Sequence, residues 1–383
     1  MVRIVYFSHP EIESLYPLTR KDKPLPNQVV LGKEIAVRVV ENIHKSYFRE
    51  IIVAYPSISE RVQEEIMELR GNIRVIEVDP AENACRCLKR VLENLGDSAV
   101  VQLGSLLAPP EYYDAFLVRW NEVGGENLIS LQPQALSKEN KVYSLKFTVE
   151  FMHNRIKGVT TEGGEGKYSF SGLIIAGKTF IECLETASSL SEALIMYVKK
   201  TEAHFHLWTG NIALIDSPLN LLNAVKILLQ RLERQSISSE ASVSPTAVIE
   251  GPVIVEAGAR IDHYSVIKGP AYIGKDAMVG AHSFVRDHVS LEEGAVVGAH
   301  AEVKRSYIAP KVLIGSKTYV TDSLVGDGAT IRPLTVTLNY DPKEAAKGIV
   351  RKMGSIIGEK SIIEGGSVLR PRTVVEPQSV YKL

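Results

Sequence analysis

The chain has 383 residues, a formal net charge of −1 and 23% charged residues. Its length suffices for two domains with separate cores, and its near-neutral charge argues against a nucleic-acid partner. The first residues do not form a signal peptide, and no apolar run reaches the length of a membrane span. Three cysteines, Cys85, Cys87 and Cys183, are too few for a disulfide framework, and Cys85 and Cys87 are expected to be buried. We therefore expect a cytoplasmic protein without a membrane partner.

The N-terminal half alternates strand-like and helix-like patterns. This order predicts a mostly parallel sheet covered on both faces, as in a Rossmann-type, nucleotide-binding-like α/β domain. The later segments are expected to add strands, some of them antiparallel, so that the sheet is mixed. We place this domain at residues 1–232 and a polar linker at residues 233–242. The predicted strands are Val2–Phe7, Ile51–Tyr55, Ile73–Val78, Ala99–Leu103, Leu128–Leu131, Lys141–Phe151, Tyr168–Ile175 and Ala203–Trp208, and the predicted helices are Lys33–His44, Ser59–Leu69, Asn83–Leu95, Glu111–Val123 and Leu219–Leu232.

A six-residue repeat dominates the C-terminal part. From Val243 to Val303 an aliphatic residue returns at every sixth position. This period fits neither an α-helix nor an isolated strand. It is typical of a left-handed parallel β-helix, a triangular solenoid with one hexapeptide per face and about eighteen residues per coil. The repeat resumes one residue early at Ile308 and at Val325, and again at Ile357 after an insertion, so we expect a β-helix over residues 243–383.

The same architecture predicts an oligomer. A β-helix buries little apolar surface per coil, and its outer faces are flat. We therefore expect a homotrimer assembled through the β-helix, with ligands in the grooves between neighbouring copies.

The order of the two parts resembles the bifunctional N-acetylglucosamine-1-phosphate uridylyltransferase/glucosamine-1-phosphate acetyltransferase family, particularly its archaeal relatives. In the N-terminal half the resemblance rests on YPLTRKDKPLP at residues 16–26, VVQLGS at residues 100–105 and IDSPLNLLNA at residues 215–224. It implies a nucleotidyltransferase-like domain followed by an acyltransferase-like β-helix. It also implies a sugar phosphate or nucleotide sugar as ligand and acetyl-CoA as a candidate cofactor.

The residues that nucleotidyl transfer requires are replaced. The family's glycine-rich loop cradles phosphates with backbone N–H groups, but here the matching segment contains Pro10 and two glutamates. Ser14 stands at the position of the family's arginine and Ser105 at that of its metal-binding aspartate, although Asp216 lies near the second metal position. Lys23 matches as a remnant of the nucleotide site. Because phosphoryl transfer depends on positioning and on Mg²⁺, we expect neither nucleotidyl transfer nor a bound metal.

The β-helix keeps more of the resemblance. Four positions align with the family's substrate contacts, namely Arg286, Lys304, Tyr319 and Asn339. The resemblance implies that Arg286 stands where the family's arginine holds the substrate phosphate. Ser316 stands where the family has its catalytic histidine. A serine without a base cannot take a proton from an amine at a useful rate. His300 is a candidate substitute base, and it is expected to stack on His282, a pair that could also hold a metal.

The repeat itself aligns three cations on one outward column. Lys268, Arg286 and Lys304 lie at equivalent positions of successive coils. Two interpretations remain open, because these side chains either hold a phosphate or pair with Glu250, Asp287 and Glu302. Four basic residues of the insertion align with the family's acetyl-CoA groove or belong to a solvated loop, namely Lys343, Lys347, Arg351 and Lys352.

Two functions from different classes follow. The first is a catalytically degenerate paralogue, a pseudoenzyme that binds a sugar phosphate or nucleotide sugar and regulates or assembles with an active homologue. The second is an acetyl-CoA-dependent N-acetyltransferase acting on an amino-sugar-1-phosphate. An active UDP-N-acetylglucosamine pyrophosphorylase is disfavoured by the missing motifs.

Overall fold

The structure is a computed structural model that describes residues 2–57, 59–96, 98–125, 127–133, 145–160, 167–342 and 352–382. The chain divides into two compact units. The first comprises Met1–Ser14, Pro24–Gln28 and Glu34–Asn220, and the second comprises Leu15–Lys23, Val29–Lys33 and Leu221–Leu383. Two short N-terminal segments therefore belong to the same unit as the C-terminal part of the chain.

The elements before the β-helix alternate as the sequence predicts. They are β1 (Arg3–Phe7), a 3-10 turn (Leu25–Asn27), β2 (Val29–Val30), β3 (Lys33–Glu34), α1 (Ile35–His44), β4 (Glu50–Tyr55), α2 (Glu60–Glu68), β5 (Ile73–Glu77), α3 (Ala84–Glu93), β6 (Ala99–Leu103), β7 (Ser105–Leu107), α4 (Pro110–Glu122), β8 (Leu128–Pro133), β9 (Lys146–Glu150), β10 (Arg155–Thr160), β11 (Tyr168–Ala176), α5 (Lys178–Thr186), α6 (Leu190–Thr201), β12 (His204–Leu207), β13 (Ala213–Ile215) and α7 (Pro218–Gln230). Helices α5 and α6 and the strands β2, β3, β7, β10 and β13 were not predicted from the sequence. The first four residues of the predicted strand Lys141–Phe151 lie outside the described residues.

A nine-stranded mixed sheet forms the core of the first unit, in the order β5-β4-β1-β6-β11-β8-β12-β10-β9. Its first four strands are parallel, and β11 joins them antiparallel to β6. Every residue of β4 and β6 is buried, as expected for strands with both faces covered.

The N-caps of α2 and α3 are Ser59 and Asn83, whose side chains accept backbone N–H groups of the first turn. Cys85, Cys87 and Cys183 are buried free thiols.

The hexapeptide repeat forms a parallel β-helix. Its strands are β14 (Ser236–Ile237), β15 (Ser242–Val243), β16 (Val248–Glu250), β17 (Val253–Val255), β18 (Arg260–Ile261), β19 (Val266–Lys268), β20 (Ala271–Ile273), β21 (Met278–Val279), β22 (Phe284–Arg286), β23 (Val289–Leu291), β24 (Val296–Val297), β25 (Glu302–Lys304), β26 (Tyr307–Ile308), β27 (Leu313–Ile314), β28 (Tyr319–Thr321), β29 (Leu324–Val325), β30 (Thr330–Ile331), β31 (Val336–Thr337), β32 (Ile356–Ile357), β33 (Ile362–Ile363), β34 (Val368–Leu369), β35 (Val374–Val375) and β36 (Val380–Tyr381). They stack in three parallel sheets of eight, eight and seven strands.

The strand register confirms the repeat and its two shortenings. Val285 pairs with Val303 one full coil later, whereas Val303 pairs with Val320 and Ile308 with Val325 across coils one residue shorter. These inward aliphatic side chains are fully buried. The first β-helix strand lies at Ser236–Ile237 and pairs with β17, so the coil begins inside the segment that the sequence analysis assigned to a linker.

Two N-terminal segments pack on the β-helix within the second unit. In Leu15–Lys23, the carbonyl of Leu18 accepts the backbone N–H of Glu359 at 2.8 Å, and Val29–Lys33 makes three further contacts. The backbone N–H groups of Leu31 and Gly32 donate to the buried carboxylate of Glu292 at 2.8 and 2.9 Å, and the Tyr307 hydroxyl donates to the carbonyl of Val29 at 2.6 Å. Paired backbone donors make this buried carboxylate tolerable. Within the described residues, no helix has the length and apolarity needed to cross a membrane.

Candidate functional site

The candidate site lies where three stacked strands of the β-helix end. The register of β22, β25 and β28 aligns Arg286 with Lys304 and Lys304 with Thr321. Adjacent strands lie about 4.8 Å apart, so charged side chains at these positions interact strongly. The corner cluster, as we name it, consists of Arg286, Asp287, Glu302, Lys304, Arg305, Asp322 and Asn339.

A single oxygen atom, Oδ2 of Asp287, is the point on which the cations converge. Arg286 donates to it through Nη1 at 2.9 Å. Lys304 Nζ lies 3.6 Å from the same oxygen and Arg305 Nη1 lies 3.7 Å from it. Asp287 and His288 both have a left-handed backbone, with φ of 60° and 65°, a conformation that Asp and His adopt more readily than most residues.

Two other carboxylates hold the arginines in place. Arg286 contacts Oε1 of Glu302 through Nε at 2.9 Å and through Nη2 at 2.8 Å. Arg305 donates to the two carboxylate oxygens of Asp322 through Nε at 2.6 Å and through Nη2 at 2.8 Å. A guanidinium engaged along one edge keeps a fixed orientation. Each arginine therefore directs its remaining nitrogen, Nη1, towards Asp287.

Asp322 is the most buried acid of the corner cluster. Burial opposes its ionisation, but hydrogen bonds from Arg305, Asn339 and Thr321 outweigh that effect and hold the pKa of Asp322 below its usual value. Asn339 donates to Asp322 through Nδ2 at 2.5 Å. Asn339, which was predicted to contact the substrate, therefore fixes the position of the Asp322 carboxylate.

The ion pairs are those that the sequence analysis named as an alternative to phosphate binding. Arg286 pairs with Asp287 and Glu302, and Lys304 pairs with Asp287. Lys268, the third residue of the predicted column, pairs with Glu250 at 3.3 Å instead. The three cations and three acids of the corner cluster balance in charge. Phosphate binding by Arg286 and Lys304 stays a prediction.

The sequence analysis missed a second column beside the first. Asp287, Arg305, Asp322 and Asn339 occupy the position after the basic column in four successive coils. Asn339 was found through the family resemblance and Asp287 was named as a candidate partner of the basic column, whereas Arg305 and Asp322 were not singled out. The spacing of eighteen, seventeen and seventeen residues in the sequence is the signal that could have identified the other two.

The remaining predicted residues of the β-helix lie at other positions. Tyr319 begins β28 and is aligned with Glu302, and Ser316 is exposed in the preceding turn. His300 stacks on His282, with ring centroids 4.9 Å apart and planes within 1°. His300 precedes β25 whereas Lys304 ends it, so up to about 13 Å of extended backbone separates them. A metal ion must lie in the plane of each imidazole that binds it, so these parallel rings do not form a ready metal site.

His288, which the sequence analysis did not consider, lies next to Asp287 in the chain. It is half-buried. Burial and the charge of Lys226 lower the pKa of His288 below its ordinary value. The imidazole is therefore mainly neutral at pH 7 and can accept a proton there.

In the first unit, Glu13 occupies donors in the region that the resemblance assigns to the nucleotide. Its carboxylate accepts the backbone N–H of Ser105 at 2.5 Å, the Ser105 hydroxyl at 3.0 Å and the Ser8 hydroxyl. The Tyr6 hydroxyl bonds Ser105 Oγ at 2.7 Å. Burial, opposed by these hydrogen bonds and assisted by the charge of Asp216, raises the pKa of Glu13 to about 7.

Other positions of the expected nucleotide site make structural contacts. The backbone N–H of Ser14 donates to the carbonyl of Asp216 at 3.0 Å, and the Asp216 carboxylate accepts from Asn220 Nδ2 at 2.6 Å. Across the part of the chain that the structure describes, no three His, Cys, Asp or Glu side chains are grouped as a metal ion would require.

Five other cations were predicted as binding residues, namely Lys23, Lys343, Lys347, Arg351 and Lys352. Lys23, within the second unit, lies 3.4 Å from Asp327 and 3.9 Å from Glu359. Lys352 is exposed. The other three predicted cofactor contacts, Lys343, Lys347 and Arg351, lie outside the described residues.

In the comparison with known proteins, the C-terminal part of the chain is similar to one family model. No curated protein matches the chain. Residues 267–382 match the family model described as GMPPB C-terminal domain, a hexapeptide-type β-helix domain of sugar nucleotidyltransferases. The match covers the corner cluster, and it supports a relation to sugar nucleotidyltransferases without supporting the bifunctional acetyltransferase assignment in particular.

Proposed function

We propose that this chain is a degenerate member of the sugar nucleotidyltransferase family that binds a sugar phosphate or nucleotide sugar through its β-helix and acts as a regulatory or assembly subunit of an active homologue. The observation that carries the proposal is the convergence of Arg286, Lys304 and Arg305 on one point at the edge of the β-helix. The matched domain over residues 267–382 supports the class of ligand.

The loss of nucleotidyl transfer is supported by Glu13. Its carboxylate occupies the N–H and hydroxyl donors of Ser105, at the position where the resemblance expects a metal-binding aspartate. A carboxylate repels nucleotide phosphates, and Ser105 offers a metal only a neutral hydroxyl. Phosphoryl transfer, which depends on charge stabilisation, lacks its main groups here.

Phosphate binding at the corner cluster is supported by its chemistry. A phosphate monoester carries between one and two negative charges at neutral pH and several acceptor oxygens. Arginine and lysine side chains bind such groups through charge-assisted hydrogen bonds, each contributing about 1.5–3 kcal/mol. Removing one of them should therefore weaken binding by about tenfold to a hundredfold.

Calorimetric titration at low ionic strength tests the proposal. The ligands are UDP-N-acetylglucosamine, UTP and glucosamine-1-phosphate, and the variant is Lys304→Met, which removes the charge and keeps the chain length. Lys268→Met is the matched control, because Lys268 lies on the same column but pairs with Glu250. We expect Lys304→Met to bind at least tenfold more weakly and Lys268→Met to bind as the unmodified protein does. Equal affinity of Lys304→Met and the unmodified protein would refute this site.

One observation favours a second function, acetyl transfer from acetyl-CoA to an amino-sugar-1-phosphate. Burial and the charge of Lys226 lower the pKa of His288, the residue after Asp287 in the chain, so its unprotonated form could accept the proton of the attacking amine. Release of free CoA with glucosamine-1-phosphate, lost in His288→Gln and kept in His300→Gln, would establish this activity. Absence of CoA release in the unmodified protein would remove it.

A further inference from the structure

The three acids of the corner cluster have different surroundings. The side chains of Asp322 and Glu302 are 8% and 29% exposed, and each holds one arginine along its Nε–Nη2 edge. The Asp287 side chain is 43% exposed, and all its cation contacts involve the single oxygen Oδ2. Glu302 and Asp322 thus orient the two arginines. Asp287 occupies the point towards which the cations are directed.

We propose that Asp287 is an internal ligand of a phosphate-binding cradle, and that its carboxylate is displaced when a phosphoryl group binds. The cradle consists of Arg286 Nη1, Lys304 Nζ and Arg305 Nη1. The identity of the ligand as a phosphate ester rests on the proposed function above. The internal occupation of the cradle rests on the contacts of Asp287 alone.

The charge of the cluster explains why a phosphoryl group can replace this carboxylate. With Asp287 in place, three cations face three acids. Without it, the cradle has one excess positive charge. Asp287 uses one oxygen atom, whereas a phosphoryl group offers three and can accept from all three cations at hydrogen-bond distance. Lys304 and Arg305, which lie beyond hydrogen-bond distance of Asp287, have the most to gain from the exchange.

An internal carboxylate also makes the cradle selective. A ligand binds only the fraction of molecules in which the cradle is vacant, so the apparent affinity falls by that fraction. A weak anion that offers no more contacts than Asp287 gains nothing by displacing it. A phosphate ester gains further contacts. Asp287 is therefore a specificity-determining residue, because it lowers the apparent affinity of the cradle for anions that make no more contacts than its own carboxylate.

Asp287→Asn isolates this role. Asparagine has the same shape, removes the charge and tolerates the left-handed backbone of this position. Asp287→Gly is the second variant, since glycine adopts positive φ without strain and leaves no side chain in the cradle. Asp276→Asn is the matched control, because Asp276 is exposed, also has positive φ, with a value of 55°, and lies on a turn between β20 and β21 outside the corner cluster.

The experiment is calorimetric titration of each protein with inorganic phosphate, and with acetate as the comparison anion, in a buffer free of phosphate at low ionic strength. We expect Asp287→Asn and Asp287→Gly to bind inorganic phosphate at least tenfold more tightly than the unmodified protein, with Asp276→Asn unchanged. Unchanged or weaker phosphate binding in both Asp287 variants would overturn the proposal. An equal gain in Asp276→Asn would overturn it too, because net charge would then explain the effect.

The outcome also separates this inference from the proposed function. If the unmodified protein binds no sugar phosphate or nucleotide sugar while both Asp287 variants bind phosphate tightly, the internal ligand is supported and the proposed function is wrong. If the unmodified protein binds a sugar phosphate and the Asp287 variants bind phosphate no better, the proposed function stands and the internal ligand is wrong.

Discussion

Arg305 holds Asp322 through two parallel hydrogen bonds of 2.6 and 2.8 Å, between adjacent coils of the β-helix. The Asp322 side chain is 8% exposed and also accepts from Asn339 and Thr321. Such a bidentate pair of a guanidinium and a carboxylate fixes geometry as well as charge. The pair therefore ties together the turns of two coils at the corner cluster.

Arg305→Ala should destabilise the protein. Removing the arginine leaves a buried carboxylate without its cation, a change that costs about 3–5 kcal/mol at fully buried pairs. Because Arg305 is 31% exposed and two other donors to Asp322 remain, we expect a loss of about 2 kcal/mol in the free energy of unfolding. Urea denaturation measures it. Arg260→Ala, which removes an exposed arginine of the same β-helix, should change stability by less than about 0.5 kcal/mol, and a similar loss in both variants would contradict a specific role for the pair.

The ionisation of Glu13 should make the protein less stable as pH rises. Its pKa in the folded state, about 7, lies above the ordinary value of 4.5, so between these values the folded protein binds a proton that the unfolded chain has released. The free energy of unfolding therefore falls from about pH 4.5 to about pH 7, by roughly 3 kcal/mol from this group. Asp322, whose pKa is lowered, acts in the opposite direction, because its contribution is lost as pH falls.

Glu13→Gln should remove the part of the decrease in the free energy of unfolding between pH 5 and 7 that Glu13 causes. A glutamine can accept the Ser105 N–H with its oxygen and donate its two amide hydrogens to the hydroxyls of Ser8 and Ser105, whereas a protonated Glu13 donates one hydrogen and accepts the other bonds. We expect the variant to be more stable than the unmodified protein at pH 8 and similar to it at pH 5, by urea denaturation at both pH values. Glu64→Gln is the control, as Glu64 is an exposed residue of α2. Equal pH dependence in Glu13→Gln and the unmodified protein would show that Glu13 titrates normally.

The repeat could be predicted from the sequence because one constraint acts at every coil. An aliphatic side chain must point inward at each face, and Val285, Val303 and Val320 do so in register. Charged columns follow from the same register, so Lys268, Arg286 and Lys304 were found. The sequence could not show which acid each cation pairs with. Lys268 pairs with Glu250, and Arg286 pairs with Asp287 and Glu302, because of the directions of their side chains at the turns.

Contacts between distant parts of the chain left no such pattern. In the sequence, Glu292 does not differ from the other polar residues of the turns. In the structure it is buried and accepts the backbone N–H groups of Leu31 and Gly32. The two residues are about 260 positions away, and no periodicity relates them. Lys23 likewise pairs with Asp327 and Glu359, whereas the local motif suggested a nucleotide. Each of these pairings needed the structure.

The β-helix should assemble as a trimer. Several of its outward residues are large and apolar yet exposed, including Met278, Leu313 and Val380 on one face and Val248 and Val368 on another. Contact with other copies would remove these side chains from water. Light scattering coupled to size exclusion should give about 127 kDa, three times the chain mass of 42.2 kDa. A mass near that of one chain at micromolar concentration would contradict the trimer.

The purified protein should make no nucleotide sugar. The reason is that Glu13 accepts from Ser8 and Ser105, where the resemblance requires donors free for phosphate, and Ser105 replaces a metal-binding carboxylate. The assay is Mg²⁺-dependent release of pyrophosphate from UTP or GTP with a hexose- or hexosamine-1-phosphate.

Ser105→Ala is the control for that assay, because it removes the side chain that stands at the position of the family's metal-binding aspartate. Release should be equally absent from the unmodified protein and from this variant, and the same result should hold at pH 6, where more of Glu13 is protonated. Restoring activity should require more than one change, since Ser14 still stands at the position of the arginine. Release above the Ser105→Ala background would show that nucleotidyl transfer survives and that Glu13 moves away when the nucleotide binds.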